Sequence, residues 1–136
     1  MTSFPLKIVT PDGLIFDGDA EMVKVRTTEG DMAVMARHIN CVVPLGMGTA
    51  AIVTGGERKI AACIGGMLSV VDGVCTLVPT TFEWAENIDV SRAQRAENRA
   101  KEVLNGTKDD EVALKLAEAK LRRALIRQDV AAQYKG

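Results

Sequence analysis

An abrupt change of composition after Trp84 constrains the fold of this chain more than any other feature. Before it, Gly and Pro interrupt short runs rich in β-branched residues; after it, Pro is absent, Gly occurs only at Gly106 and Gly136, and Ala, Glu, Lys and Arg dominate. The hydrophobic period changes at the same point from about two residues to about 3.6. The sequence therefore predicts a β domain followed by a helical segment, an α+β organisation.

The β part is divided by turn signals. Asp12-Gly13, Gly55-Gly56 and Asp72-Gly73 each separate two apolar runs, and such dipeptides supply the positive φ angles that tight hairpins need. Gly65-Gly66 lies within an apolar stretch and indicates a bulge or a close approach of two backbones. Eight or more short antiparallel strands in a sandwich or barrel are predicted, from the runs 6–10, 14–16, 21–27, 32–36, 49–54, 59–64, 67–71 and 74–79.

The first helix is predicted to begin after Asp89, a residue suited to capping a helix N-terminus, and to stop at Asn105-Gly106. The second is predicted to open with the acids Asp109, Asp110 and Glu111 and to run to about Gln133. Their short connection makes them an antiparallel hairpin. The predicted apolar stripes are Ala93, Ala96, Ala100 and Val103 on the first helix and Leu114, Ala117, Leu121 and Leu125 on the second.

An alanine-rich seam buries little apolar area, since each buried methylene is worth about 0.8 kcal/mol. The free energy needed to undock a hairpin held this way would be only a few kcal/mol. That is the range in which a ligand shifts a conformational population. Our hypothesis is that the hairpin moves.

The sequence shows no recognisable catalytic arrangement. His38 is the only histidine, no phosphate-binding GxxxxGK[ST] loop is present, and the pair His38 and Cys41 has no second pair to complete a metal site. The cysteines Cys41, Cys63 and Cys75 are expected to be buried thiols. A net charge of -1 gives no general attraction to nucleic acid, and no apolar run approaches the ~20 residues that span a bilayer.

Four arginines on the predicted helices suggest an anion site. Arg92 and Arg99 are seven residues apart on the first helix, and Arg123 and Arg127 are four apart on the second, so each pair shares a helix face. If the two faces converge, the guanidinium groups repel one another unless a polyanion such as a triphosphate neutralises them. The alternative is a solvated charged surface, balanced by the nearby acids Glu97, Glu102, Glu118 and Asp129.

The order and spacing of several motifs resemble the bacterial F-type ATP synthase epsilon subunit along essentially the whole chain. These motifs are Val9-Thr10-Pro11-Asp12-Gly13, Thr27-Thr28-Glu29-Gly30-Asp31, the His38 segment, Ile64-Gly65-Gly66-Met67-Leu68 and the Ala/Arg-rich hairpin. The resemblance implies an antiparallel β-sandwich of about ten strands over residues 1–86 and an antiparallel two-helix hairpin over residues 87–136.

The resemblance also implies a function. The chain would be a non-catalytic subunit of the rotor, bound to the gamma subunit and resting on the c-ring, peripheral to the cytoplasmic face of the bacterial cell membrane. The hairpin would lie folded on the sandwich or extend along gamma into the alpha/beta catalytic head, where it blocks ATP hydrolysis. ATP would be a regulatory ligand and not an obligatory cofactor.

The resemblance further implies an ATP site, because some family members bind ATP through a pattern that this chain matches as Ile88, Asp89, Arg92 and Ala93. By similarity, Glu83, Ile88 and Asp89 lie near the base and ribose. The positive charges for the phosphates are Arg92, Arg99, Arg123 and Arg127.

Two segments are expected to meet partner subunits. By resemblance, Glu29 and Asp31 face the c-ring, with a merely solvated acidic turn as an equal alternative. His38 lies in a loop that meets gamma in the family, although the family's Pro-Asn-His-Ala-Pro is replaced here by residues 36–40 and loses both prolines. A rival reading is a stand-alone nucleotide sensor, which would remain a free monomer where a rotor subunit co-purifies with gamma.

Overall fold

A computed structural model describes residues 2–106 and 110–135, the last without its side chain. The chain divides into two compact units, Met1–Trp84 and Ala85–Gly136. The first contains the strands and the second the helices, as the change of composition predicts. The strands are β1 Phe4–Thr10, β2 Gly13–Ala20, β3 Met22–Thr27, β4 Gly30–Val34, β5 Cys41–Pro44, β6 Met47–Thr54, β7 Glu57–Val71 and β8 Val74–Trp84; a 3₁₀ turn Ala85–Asn87 leads to α1 Val90–Gly106 and α2 Glu111–Lys135.

The strands form one sheet in the order β2-β1-β8-β7-β6-β3-β4, with β5 also paired to β7. The sheet folds over on itself, because the end of β2 meets the end of β6: the Thr54 hydroxyl donates to the Asp19 carbonyl at 2.8 Å, and the Glu21 amide donates to the Val53 carbonyl at 2.7 Å. A single core fills the space between the two layers.

Strict alternation of side chains builds that core. On β1, Phe4, Leu6 and Ile8 are buried while Pro5 and Lys7 between them are exposed, because successive residues of a strand point to opposite faces. Most of the filling is aliphatic, in keeping with an aromatic fraction of only 4%. The largest fully buried side chains of this unit are Leu6, Ile8, Ile52, Leu68, Leu77, Val23, Val25, Val34, Val70, Pro79 and Cys75.

The sheet differs from the sequence expectation in four respects. The described residues form eight strands and not about ten, and the runs 59–64 and 67–71 are halves of the single 15-residue strand β7. The short strand β5 was not expected. One pair is parallel, since Leu6, Lys7 and Ile8 of β1 lie beside Cys75, Thr76 and Leu77 of β8. Strands from the two ends of the domain can pair in parallel because a long connection separates them.

The sequence left two possibilities for Gly65-Gly66, a bulge or a close approach of two backbones. The structure shows a close approach at Gly66. The register continues unbroken from Ile64↔Thr81 to Gly66↔Pro79, so no bulge is present. A Cβ at Gly66 would lie 2.1 Å from the carbonyl oxygen of Val78. Only glycine fits here.

Gly66→Ala is expected to destabilise the protein by about 3 kcal/mol or more, because it adds a backbone clash to the strain of a φ of +99°. Gly55→Ala is the matched control: its φ is also positive, at +57°, but no atom lies within 4 Å of its added Cβ. Its cost should be about 1–2 kcal/mol. Urea unfolding of both variants checks this, and equal losses would contradict the close approach.

Two of the three cysteines are buried thiols, as expected. Burial raises the pKa of both Cys63 and Cys75 from 9.0 to about 12, because an apolar environment disfavours the thiolate. Cys41 is only partly buried. The expectation of burial therefore holds fully for two of the three.

The helix boundaries follow the capping residues. The Asp89 carboxylate accepts a hydrogen bond from the Arg92 amide at 3.0 Å, which confirms its predicted role as the N-cap of α1. Asp110 caps α2 in the same way, through the Ala113 amide at 3.1 Å. Asp109, which also belonged to the predicted start of α2, lies outside the described residues. None of the described helices is both long and apolar enough to cross a membrane.

Small residues are buried at heptad spacing on both helices: Ala93 and Ala100 on α1, and Ala117, Ala124 and Ala131 on α2. The two predicted stripes are wrong at one position each, because Val103 is 38% and Leu125 is 45% exposed. A spacing of seven keeps residues on one side of a helix. Val103 and Leu125 do not have this spacing from the buried alanines of their helices.

Candidate functional site

The two helices enclose a groove of about 600 Å³ on one side of the hairpin, which is within the usual range for a small-molecule site. Its apolar lining consists of Ala96, Ala100, Val103, Ala113, Leu116 and Ala117. Its polar lining consists of four cations, Arg99, Lys120, Arg123 and Arg127. Among the described residues, the groove lining contains no acid and no uncharged polar side chain.

Helical spacing brings the cations to one face. Lys120, Arg123 and Arg127 are three and four residues apart on α2, which places them in a row. Arg99 lines the groove from α1. Arg123 and Arg127 are partly buried, and Arg99 and Lys120 are exposed.

The electrostatics of this groove favour an anion with several charges. Like charges that converge repel one another, and a polyanion reduces this repulsion while accepting charge-assisted hydrogen bonds. Guanidinium groups suit the binding of phosphates, because each planar group can donate hydrogen bonds to two phosphate oxygens at once.

Two acids on the helices, Glu97 and Asp129, have partners other than the groove cations. The Glu97 carboxylate forms an ion pair with Lys101 at 2.6 Å and accepts a hydrogen bond from the Gln128 side chain at 2.8 Å. These two contacts, first that with Lys101, lower the pKa of Glu97. Asp129 accepts from the side chain of Gln133 at 3.1 Å. In a solvated charged surface, four acids would balance the arginines. Two of the four therefore have partners other than the groove arginines.

The link between Glu97 and Gln128 also fixes the direction of the helices. It joins the N-terminal half of α1 to the C-terminal half of α2. Val103, near the end of α1, and Ala113, near the start of α2, both line the groove. The helices therefore run antiparallel, as predicted.

Three of the predicted phosphate-binding arginines, Arg99, Arg123 and Arg127, line the groove together. Arg92 does not belong to the lining; its side chain is exposed one turn into α1. Sequence reasoning missed Lys120, although its spacing of three from Arg123 was a signal that could have found it. The apolar half of the groove was also missed.

The remaining predicted ATP residues lie around the start of α1 and on β8. Ile88 is buried, and its amide donates to the Ala85 carbonyl at 3.3 Å in the turn before the helix. Asp89 caps the helix, and Ala93 is 3% exposed. Glu83 is partly buried on β8 of the first unit, opposite Ala62 of β7.

Glu29 and Asp31 are exposed at the turn between β3 and β4. The Thr27 hydroxyl fixes the turn, because it accepts from the Glu29 amide at 3.1 Å and donates to the Gly30 carbonyl at 2.7 Å. Asp31 pairs with Arg26 at 3.2 Å on the surface. The two carboxylates are therefore presented outward on a rigid hairpin.

His38 lies in the connection from β4 to β5, just after Arg37, whose φ of +67° turns the chain sharply. Its Nδ1 lies 2.8 Å from the Ile39 carbonyl oxygen and 3.9 Å from the Cys41 sulfur. Met35 and Ile39 beside it are 57% and 78% exposed. Two exposed apolar side chains therefore lie close to this histidine in the connection.

The outward face of the sheet carries further exposed apolar side chains. Val78 and Met67 are directly paired neighbours on β8 and β7, and so are Val74 and Val71. We call this the outer apolar face; with Val42 of β5, its members are 42–63% exposed. The paired Ser69 and Thr76 lie between the two apolar pairs. A group of exposed apolar side chains on one face often marks a protein interface.

The fold resembles that of subunits in two solved assemblies. A chain in the Euglena gracilis mitochondrial ATP synthase (OSCP, F1 and c-ring) superposes with a TM-score of 0.81 at 24% identity, covering 98% of this chain and 82% of that one. A chain in the central stalk and c-ring of the Tetrahymena thermophila mitochondrial ATP synthase gives 0.65 at 13% identity, covering 93% and 95%. At these identities the likeness concerns the fold alone.

Two family models match the chain in succession. Residues 3–85 match the beta-sandwich domain of the ATP synthase delta/epsilon chain, and residues 86–132 match its long alpha-helix domain. The ATP synthase epsilon chain of Bacillus velezensis is 40% identical over 131 residues, covering 96% of this chain and 98% of that one. That of Halalkalibacterium halodurans is 37% identical over the same shares. With both domains in order and relatives matched along nearly their whole length, this chain belongs to the ATP synthase delta/epsilon family and is of the bacterial epsilon type.

Proposed function

We propose that this chain is a rotor subunit of a bacterial F-type ATP synthase, which couples the gamma subunit to the c-ring and restrains ATP hydrolysis through its hairpin. The match of both domains to epsilon chains along nearly their whole length carries the proposal. The chain then works at the cytoplasmic face of the cell membrane, as a peripheral part of the enzyme. Chemistry at the catalytic sites belongs to other subunits.

The outer apolar face and the exposed residues around His38 support docking to gamma. Exposed aliphatic side chains in register on adjacent strands are costly to leave in water, and a partner surface removes that cost at about 25 cal/mol per Å² of apolar area. The β domain offers this surface with the backbone already held in a sheet, so little ordering entropy opposes the contact.

Val78→Asp is expected to reduce the amount of gamma that co-purifies with this chain by tenfold or more, because it places an unpaired carboxylate on the outer apolar face. Val112→Asp is the matched control, since Val112 is 68% exposed at the start of α2 and an acid is favourable there. Retention of gamma by both variants would contradict the assigned interface. A wild-type chain that never co-purifies with gamma would favour a stand-alone sensor.

The acidic turn supports contact with the c-ring. Glu29 and Asp31 are presented on a hairpin whose geometry the Thr27 hydroxyl fixes. Exposed carboxylates on a rigid turn attract a basic partner loop by charge complementarity, which mainly sets orientation and association rate.

The hairpin supports regulation by a nucleotide. Its groove holds four cations and an apolar wall, a combination suited to a ligand with a polyphosphate and a less polar body. ATP bound there stabilises the folded hairpin by RT ln(1 + [L]/Kd), where [L] is the concentration of free ATP. When ATP is scarce, the hairpin extends towards the alpha/beta head and blocks hydrolysis.

A further inference from the structure

We propose that Asn40 is a positioning residue of the docking surface: it fastens the connection 35–40 to the turn between β7 and β8, so that both meet gamma as one ordered surface. This inference rests on the gamma docking proposed above and deepens it. Asn40 itself is exposed at the end of that connection, directly before β5.

One hydrogen bond makes this link. The Asn40 side-chain oxygen accepts from the Asp72 amide at 2.9 Å, across 32 positions of the sequence. Asp72 and Gly73 form the two-residue turn between β7 and β8, and the pairing of these strands ends at Val71↔Val74. The strand ladder therefore leaves the Asp72 amide without a partner, and Asn40 supplies one.

The link lies at the margin of the outer apolar face. The pairing of β5 with β7 reaches Cys41↔Val70, and one step further along both strands Asn40 stands beside Val71, a member of that face. Ile39, the preceding residue of the connection, is 78% exposed. The Asn40 bond therefore holds the connection, with its exposed apolar residue, against the edge of the face.

The connection has a strained backbone that needs support from outside. Arg37 has a φ of +67°, which is unfavourable for a residue with a side chain. The His38 amide donates to the Met35 carbonyl at 3.3 Å, which is long for such a bond. Residues 36–40 contain no proline to fix a φ angle. A strained segment keeps one conformation only where its surroundings determine it, and the Asn40 bond to the neighbouring turn contributes to this.

An ordered connection strengthens docking because the partner then has less conformational freedom to remove. A loop that becomes ordered only on binding reduces the affinity by the entropy it loses. Loss of the Asn40 bond would free the connection in the unbound chain but would remove no atom from the outer apolar face. The effect of Asn40 on gamma is therefore exerted through the connection.

Two measurements on the full chain test this role: hydrogen exchange of the unbound chain, and its binding to a complex of the alpha, beta and gamma subunits. Asn40→Ala is expected to speed exchange at the Asp72 amide and in residues 35–40. It should also weaken binding about fivefold to tenfold, because gamma must then order the connection. Asn40→Asp keeps the accepting oxygen and should bind within about twofold of wild type.

Glu21→Ala is the matched control, because it removes the same kind of bond at the opposite end of β7. The Glu21 carboxylate accepts from the Gly56 amide at 2.9 Å, in the turn that precedes β7. Its loss should leave the binding of the complex within about twofold of wild type, as expected of a bond away from the docking surface.

Three results would overturn the role of Asn40 while leaving the docking in place. These are unchanged binding or unchanged exchange in Asn40→Ala, a loss in Glu21→Ala as large as that in Asn40→Ala, and a loss in Asn40→Asp as large as that in Asn40→Ala. The last would mean that the accepting oxygen is not what matters. A wild-type chain that does not bind the complex would overturn the docking itself, and this inference with it.

Discussion

Removal of residues 88–136 is expected to raise ATP hydrolysis by the assembled enzyme about fivefold to tenfold without preventing assembly. This is the factor expected if the hairpin blocks about 80–90% of the enzyme at low nucleotide. Assembly should persist because the outer apolar face and the acidic turn both belong to the first unit, which has its own core. Steady-state hydrolysis and subunit content of the purified complex are the measurements.

A chain that lacks only residues 134–136 is the matched control. It keeps both caps, the groove lining and the link between Glu97 and Gln128, so it should hydrolyse ATP at the wild-type rate. If the long truncation hydrolyses ATP no faster than wild type, the hairpin has no inhibitory role in this enzyme. If the complex then lacks the truncated chain, the β domain does not suffice for docking.

Arg123→Ala is expected to weaken ATP binding by tenfold or more and to remove the protection that ATP gives the hairpin against protease. Arg123 is partly buried in the middle of the row of cations on α2, where a charge-assisted contact with phosphate is screened less than on the surface. Proteolysis rates with and without ATP, together with calorimetry, check the result.

The neighbouring residue offers a close control, because Arg122 is exposed on the same helix and does not line the groove. Arg122→Ala removes the same charge from the chain and should leave ATP affinity within about twofold, as expected of a solvated surface charge. Similar losses in both variants would mean that net charge, and not the groove, attracts the nucleotide.

Local chemistry explains what the sequence predicted correctly. Gly55 and Gly56 have φ of +57° and +77°, and Asp72 and Gly73 have +49° and +83°; these dipeptides form hairpin turns because they tolerate such angles. Asp89 caps α1 because its short carboxylate reaches the free amides of the first turn. Signals of this kind depend on a few adjacent residues and are therefore visible in a sequence.

The misses involve residues that are distant in sequence. The parallel pairing of β1 with β8 joins positions almost 70 residues apart, and no local pattern encodes it. Strand β7 continues through Gly65-Gly66 because β8 approaches it closely there, so the glycines do not end the strand. Lys120 became a candidate only once both helices were in place, since its partners in the groove come from α1 as well as α2.

The central claim is that the groove of the hairpin is a nucleotide site, and calorimetric titration of the full chain with ATP tests it most directly. We predict binding of one ATP per chain, with an affinity that falls as salt is raised from about 50 to 200 mM, because the contacts are ionic. Absence of binding heat at millimolar ATP, at several temperatures and at low salt, would contradict the claim.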